Sequence, residues 1–340
     1  MKTKKLIKCM LAFSFAFIMS VSVLAGCGKK ESGLTHVTLN EVAHSIFYAP
    51  QYVAIEKGYF AEEGIDLELV TGFGADKTMT ALVSGEADIG FMGAEASVYL
   101  YSEGASNYVV NFAQLTQRAG NFLVAREPID NFTWDMLKDK DIIGGRKGGM
   151  PEMVFEYILR KNNMDPATDV KINQSIDFGS TAAAFSGGQG DFTVEFEPAA
   201  TALESAGEGY VVASLGVDSG YVPYTSYSTT KEYLAENEET IKKFTKALQR
   251  GMEFVNTHTP AEIAEVIAPQ FEETDVATIE KIVTRYYEQN TWKDNLVFEE
   301  SSFDLLQNIL SDAGELNNRV PYDKLVNTKI AEDVLKDSKK

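Results

Sequence analysis

Residues 144–152, Gly-Gly-Arg-Lys-Gly-Gly-Met-Pro-Glu, place two cations among four glycines just ahead of a proline. Glycines let backbone amides approach a ligand closely. Pro151 suits the first turn of a helix, whose free N–H groups and dipole favour an anion or a polar acceptor. Arg146, Gly148, Gly149 and Met150 are therefore expected to touch ligand. The alternative is that Arg146 and Lys147 face solvent while the glycines only shape a turn. A second chemistry resides in Glu195 and Glu197, which share one face of a strand because side chains alternate with period two. A carboxylate there accepts paired hydrogen bonds from an amino-heterocycle and repels a sulfonate or nitrate. One of the two is equally suited to capping the helix that opens at Pro198. Glu95 opens another helix, with capping and ligand contact both open to it.

Other polar and aromatic candidates lie in connecting segments. The loop 71–76 carries Phe73 and Gly74 and offers free amides, but lacks the Gly-Lys-Ser/Thr ending of a phosphate loop. A plain tight turn is the competing reading. Gln114 and Arg118 stand where the chain leaves its first section, Arg118 as a ligand clamp or a salt bridge between lobes. Tyr221, Tyr224 and Tyr227 follow later with Gly220 and Pro223, suited to stacking on a solute or to packing a hinge. Catalysis is not expected. The three histidines, His36, His44 and His258, have no metal-binding spacing, no Ser-His-Asp set stands out, and two acids on one strand cannot flank a substrate. No cofactor and no metal are expected.

These residues need elements to hold them, and the elements repeat. Ala81–Leu100 and Ala184–Leu203 follow one plan: a helix end, a Gly turn (Gly85, Gly188), an acid three residues on (Asp88, Asp191), an apolar strand, then a new helix. Two similar lobes with a cleft between them are expected. A parallel α/β sheet offers ligands the carboxyl ends of its strands, so both copies aim polar chain ends at one place. Strand signals at 37–40, 65–69, 109–115, 122–125, 142–143, 170–172, 192–196 and 210–213 alternate with helical runs such as 50–57 and 78–84. That is the pattern of an α/β fold with a largely parallel sheet. After about Ser228 it turns helical. Ile241, Phe244, Leu248, Met252 and Val255 form one stripe, with Asn237 as its cap. Val276, Ile279, Val283 and Tyr286 form a second, and Phe303, Leu306, Ile309 and Leu310 a third.

The amino terminus bears on location. Lys2, Lys4, Lys5 and Lys8 precede an apolar stretch to Leu24, the form of a secretory signal. Leu24-Ala25-Gly26-Cys27 resembles a bacterial lipoprotein box, in which cleavage leaves Cys27 as a lipid-modified terminus. The chain is therefore expected outside the cytoplasm, lipid-anchored to the cell membrane through Cys27, with residues 27–34 as a tether. Cys27 would then be the lone cysteine, so a disulfide or Cys-based metal site is not expected. The formal charge of −19 becomes about −23 without the four signal lysines. Such acidity disfavours nucleic acid as a partner.

The run from Phe47 to Val70, with Pro50, Glu56-Lys57-Gly58-Tyr59-Phe60 and Gly64, followed by Ser84-Gly85-Glu86-Ala87-Asp88-Ile89-Gly90, resembles the SsuA/THI5-like (NMT1) substrate-binding proteins of ABC importers. The resemblance implies a periplasmic-binding-protein-like (type II) fold of two α/β lobes with a ligand cleft and hinge. Lobe one would comprise 35–117 plus 225–340, and lobe two 118–224. It also implies an importer's permease and its ATPase as partners, with a monomeric receptor closing over a small solute. His44-Ser45-Ile46-Phe47-Tyr48 follows the first strand, where the family presents side chains to ligand, so Phe47 or Tyr48 would stack on a planar solute or else join the core. Glu197-Pro198 matches the family's Glu-Pro position, and Gly93 ends the first copy of the repeat with room for ligand. Together with the aromatics, Glu197 inclines the reading toward a planar, amino-bearing heterocycle such as a thiamine pyrimidine precursor. Arg118, Arg146 and Lys147 favour instead a sulfonate, nitrate or another small organic solute. Family members that synthesise the thiamine pyrimidine use a cysteine cluster with iron, which this chain lacks.

Overall fold

A computed structural model describes residues 33–338, the side chain of Phe178 excepted. The expected signal, the lipid site at Cys27 and most of the tether lie outside the described residues. Among the described residues, ten strands form two five-stranded sheets. The first has the order β2-β1-β3-β10-β4, from Thr35–Glu41 (β1), Ile65–Thr71 (β2), Ile89–Met92 (β3), Val109–Thr116 (β4) and Thr225–Thr230 (β10). The second has the order β7-β6-β8-β5-β9, from Asn121–Ala125 (β5), Asp141–Ile143 (β6), Lys171–Asn173 (β7), Phe192–Phe196 (β8) and Tyr210–Ser214 (β9). Position for position the orders correspond, with β10 and β5 as counterparts.

The sequence repeat has a structural cause in this correspondence. Asp88 donates its amide to the Thr38 carbonyl at 3.0 Å and accepts the Thr38 amide on its side chain at 2.9 Å. Asp191 does the same to Asp141, at 2.7 and 3.1 Å. Each aspartate thus pins its strand to the neighbouring first strand of its sheet. Gly85 and Gly188 turn the chain ahead of them at φ of 78° and 94°, where only glycine is unstrained.

The expected largely parallel sheet is corrected to a mixed one. β1, β2 and β3 run parallel, as do β6, β7 and β8, but β10 and β5 pair antiparallel with both of their neighbours. The onset of helix after Ser228 is also corrected, because β10 continues to Thr230. Thr225-Ser226-Tyr227-Ser228-Thr229-Thr230 gives no apolar alternation to read, yet Thr225 to Thr229 are buried in mid-sheet. Tyr227 belongs to this strand, stacked on Phe91 with ring centroids 4.1 Å apart.

Helices after β10 follow their stripes. Ile241, Phe244, Leu248, Met252 and Val255 are buried, and so are Ile279, Val283, Tyr286, Phe303, Leu306, Ile309 and Leu310; Val276 is exposed at the start of its helix. Helix Glu238–Thr257 packs on Ala49–Glu56, and a β-carbon at Gly251 would collide with the Pro50 carbonyl oxygen. Asn237 does not cap this helix with its side chain. Its amide instead donates to the Tyr233 carbonyl at 3.2 Å and closes the preceding helix.

A buried polar knot anchors the segment after β1. The Glu41 carboxylate accepts from Gln51 (2.7 Å), Tyr52 (2.8 Å), Thr71 (3.1 Å) and His44 (2.8 Å). The other nitrogen of His44 faces the Gln270 carbonyl at 2.8 Å, so two acceptors call for a proton on each nitrogen. Burial pulls the His44 pKa down, but the Glu41 hydrogen bond, the Gln270 carbonyl and the Glu41 charge together raise it above its ordinary value. A histidine so raised adds stability that is fully present below its unfolded pKa, near 6.5, and is lost as pH rises through its folded pKa. The stability deficit of His44→Ala, followed by urea unfolding, is accordingly expected to be largest near pH 5 and to shrink steadily above neutrality.

Candidate functional site

A cavity lies between the sheets, at the carboxyl ends of the parallel strands. Val42 and Ala43 come from the end of β1, Gly74 and Ala75 from beyond β2, and Gly93 and Glu95 from beyond β3. The second sheet sends Gly145, Arg146, Gly149, Met150 and Pro151 from beyond β6, and Phe196 from the end of β8. Tyr48, Tyr224 and Thr225 complete the wall. The placement follows the rule for α/β sheets.

Glu95 is the chemically distinctive group. It opens the helix Glu95–Ser102, is 2% exposed, and borders the cavity. Its Oε1 accepts the Met150 amide across the cleft at 3.4 Å, while its buried Oε2 has no hydrogen-bond partner. Gly93 makes this placement feasible, since a β-carbon there would strike the carboxylate. Burial raises the Glu95 pKa to about 7, against smaller opposing effects of backbone amides and the Arg146 charge. A carboxyl group poised near neutrality accepts a hydrogen bond when ionised and donates one when protonated.

The surroundings are aromatic. Tyr48, Phe196 and Tyr224 line the cavity. The Tyr224 hydroxyl donates to Asn121 at 3.1 Å. Phe47 stands behind all three, with centroids 5.2, 5.8 and 5.7 Å away, and also touches Tyr286. It is fully buried and does not line the cavity, so of the adjacent pair Tyr48 faces the space and Phe47 supports it.

A family model described as NMT1/THI5 like matches residues 46–263, more than half of the chain. The chain belongs to the NMT1/THI5-like family. The candidate binding protein YtlA of Bacillus subtilis (strain 168) is 46% identical over 327 residues, covering 95% of this chain and 98% of that one. Among solved structures, the periplasmic nitrate-binding protein NrtA from Synechocystis PCC 6803 aligns with a TM-score of 0.74 at 14% identity, covering 89% of each chain. The alkanesulfonate-binding protein SsuA from Xanthomonas axonopodis pv. citri bound to MOPS aligns at 0.68 and 16%, over 86% of this chain and 98% of that one. These likenesses establish the periplasmic-binding-protein-like fold.

Within this NMT1/THI5-like fold the residues singled out from the sequence separate clearly. Tyr48, Gly74, Gly93, Glu95, Arg146, Gly149, Met150 and Tyr224 come together around the cavity. Gly148 lies just outside, with its carbonyl accepting the Tyr99 hydroxyl at 2.9 Å. The rest are placed elsewhere. Glu195 points into the second lobe and accepts from Thr193 (2.6 Å) and Thr181 (3.0 Å). Glu197 receives the Thr201 amide and hydroxyl, each at 2.9 Å, and the Arg285 guanidinium at 2.7 Å, so it secures a helix start and an ion pair. Gln114 is buried in β4 and donates to the Thr116 carbonyl. Arg118 donates to the Gly216 carbonyl at 2.9 Å and lies 4.3 Å over the Tyr221 ring, whose hydroxyl accepts from Asn290. Phe73 is a 62% exposed loop tip with φ of 55°. None of these borders the cavity.

The glycine-rich loop behaves differently from the anion cradle expected of it. Two of its amides are taken by the protein's own acids: Met150 N–H by Glu95, and Gly148 N–H by Glu152 at 3.2 Å. Arg146 pairs with Asp76 at 3.0 Å. Ala75, Gly145 and Pro151, from the two loops expected to approach ligand, also line the cavity, whereas Val42, Ala43, Phe196 and Thr225 line it without any signal in the sequence. Most are small or apolar and carry no chemical signature. Val42 and Ala43 share a position, one or two residues beyond the carboxyl end of β1.

Proposed function

We propose that this protein is the extracytoplasmic solute-binding component of an ABC importer, and that it takes a small planar amino-bearing heterocycle, an aminopyrimidine of the thiamine-precursor type, between its lobes. The single observation that carries the choice of solute is Glu95 Oε2, buried, unpartnered and set against an aromatic cavity. An exocyclic amino group satisfies that oxygen, and a flat ring fills the space between Tyr48, Phe196 and Tyr224. Membership of the NMT1/THI5-like family and the likeness to YtlA support a binding protein rather than an enzyme. The same reading has the receptor working as a monomer anchored by lipid at Cys27 and delivering its solute to a permease driven by an ATPase.

A sulfonate or nitrate receptor is the second reading, supported by the ligands named for the fold relatives SsuA and NrtA. Against it stand the engaged amides of the glycine loop, the Asp76 partner of Arg146 and the carboxylate of Glu95 in the cavity. A thermal-shift screen with 4-amino-2-methylpyrimidine, ethanesulfonate and nitrate decides between them. Stabilisation by the aminopyrimidine alone, without chemical turnover, is the expected outcome. Stabilisation by either anion alone would replace the heterocycle with that anion class.

A further inference from the structure

A second hollow adjoins the inner cavity and is bordered by Asp76, Met79, Tyr99, Leu100 and Glu103. The two spaces share one wall, made of Ala75, Glu95, Arg146 and Gly149. We infer that this outer hollow is the vestibule through which solute reaches the inner cavity, and that the Arg146 side chain, held by Asp76, is its swinging bolt.

The contrast between the contacts on the different sides of the cavity carries the inference. Elsewhere the two lobes are tied by buried, well-formed bonds: Ser45 hydroxyl to the Glu197 carbonyl at 2.7 Å and Tyr286 hydroxyl to the Gly120 carbonyl at 2.8 Å. Breaking either of these strands a buried polar group. The shared wall is held by an Arg146–Asp76 pair whose side chains are 51% and 53% exposed, and by the 3.4 Å Met150–Glu95 bond at the long limit of hydrogen bonding. The Tyr99 hydroxyl adds a 2.9 Å tie to the Gly148 carbonyl, so the solvent-exposed Arg146–Asp76 pair is the weak point of this side. The backbone of the loop is meanwhile fixed, because Tyr99 holds the Gly148 carbonyl and Glu152 holds the Gly148 amide. What can move there at low cost is the guanidinium, which water solvates as it leaves Asp76. The wall is otherwise thin, since Ala75 and Gly149 contribute almost no side chain. Glu95 borders both spaces. Only the nature of the passing solute rests on the proposed function.

A thiol at Ala43, which lines the inner cavity alone, reports on this passage without any solute. Ala43→Cys is made in a full-length chain with Cys9 and Cys27 replaced by serine, and its modification by a small methanethiosulfonate is timed. Arg146→Ala and Asp76→Asn are each expected to speed modification about fivefold, the scale of one exposed ion pair. Lys147→Ala, whose Glu315 partner is 3.8 Å away and outside the wall, is expected to leave the rate unchanged. Unchanged rates in the first two variants, or equal acceleration in all three, would overturn the bolt. If Arg146→Ala does not fold, Asp76→Asn carries the comparison. Protection of the thiol by 4-amino-2-methylpyrimidine tests the solute assignment separately, so the two readings can fail independently.

Discussion

Glu95→Gln is expected to weaken binding of 4-amino-2-methylpyrimidine by about ten- to a hundredfold, the worth of one charge-assisted hydrogen bond in a buried site. The same variant is expected to gain stability relative to the parent as pH rises. In the folded parent Glu95 titrates near 7 instead of 4.5, chiefly because it is buried. Between those two pH values the folded chain therefore holds more protons than the unfolded one, and stability falls as pH rises across the window. The full shift corresponds to roughly 3 kcal/mol as a ceiling. Glutamine has no such titration. Urea unfolding of parent and variant at pH 4.5 and pH 8 checks the effect, since the difference between them should move toward the variant at the higher pH. Calorimetry checks affinity. A stability difference that does not vary with pH would mean that Glu95 is solvated and ordinary, and the solute assignment would lose its support.

Glu41→Ala is expected to be the most destabilising single change, costing about 3–5 kcal/mol. It removes one buried acceptor and strands Gln51, Tyr52 and Thr71, while His44 keeps only its contact to the Gln270 carbonyl. The effect spreads further, because the Gln51 side-chain oxygen accepts the Tyr227 hydroxyl at 2.8 Å and so links the knot to β10. Val42 and Ala43 follow Glu41 directly and line the cavity, so loss of the knot should loosen the site as well as the fold. The shift in urea midpoint measures the first effect, and the weakening of solute binding in whatever folded protein remains measures the second. A cost below about 1 kcal/mol would show that water replaces the carboxylate without penalty.

Arg285 shows why parts of the site could not be read in advance. Glu197 and Pro198 looked like ligand chemistry because a carboxylate before a helix is suited to it. Its partner comes from the helix Val276–Glu288, 88 residues further along. Local periodicity assigns a side chain to a face of its strand but says nothing of what arrives from elsewhere to cover that face. Phe47 and Tyr48 make the same point over one residue: both aromatic, both in the expected loop, yet only Tyr48 reaches the cavity.

The sequence by itself determined the family, the repeated strand-turn-helix unit, most of the strands, and the loop that would approach a ligand from the second lobe. Those features rest on local patterns, namely glycines that permit a turn, alternation along a strand, and an aspartate set three residues beyond its turn. Only the tertiary structure shows which acid borders the cavity. Glu195 meets two threonine hydroxyls, Glu197 meets Arg285 and Thr201, and Glu95 alone of the three keeps an oxygen without a partner. The physical reason is that a buried carboxylate takes its role from the donors packed around it, and those donors are brought together by chain segments far apart in sequence.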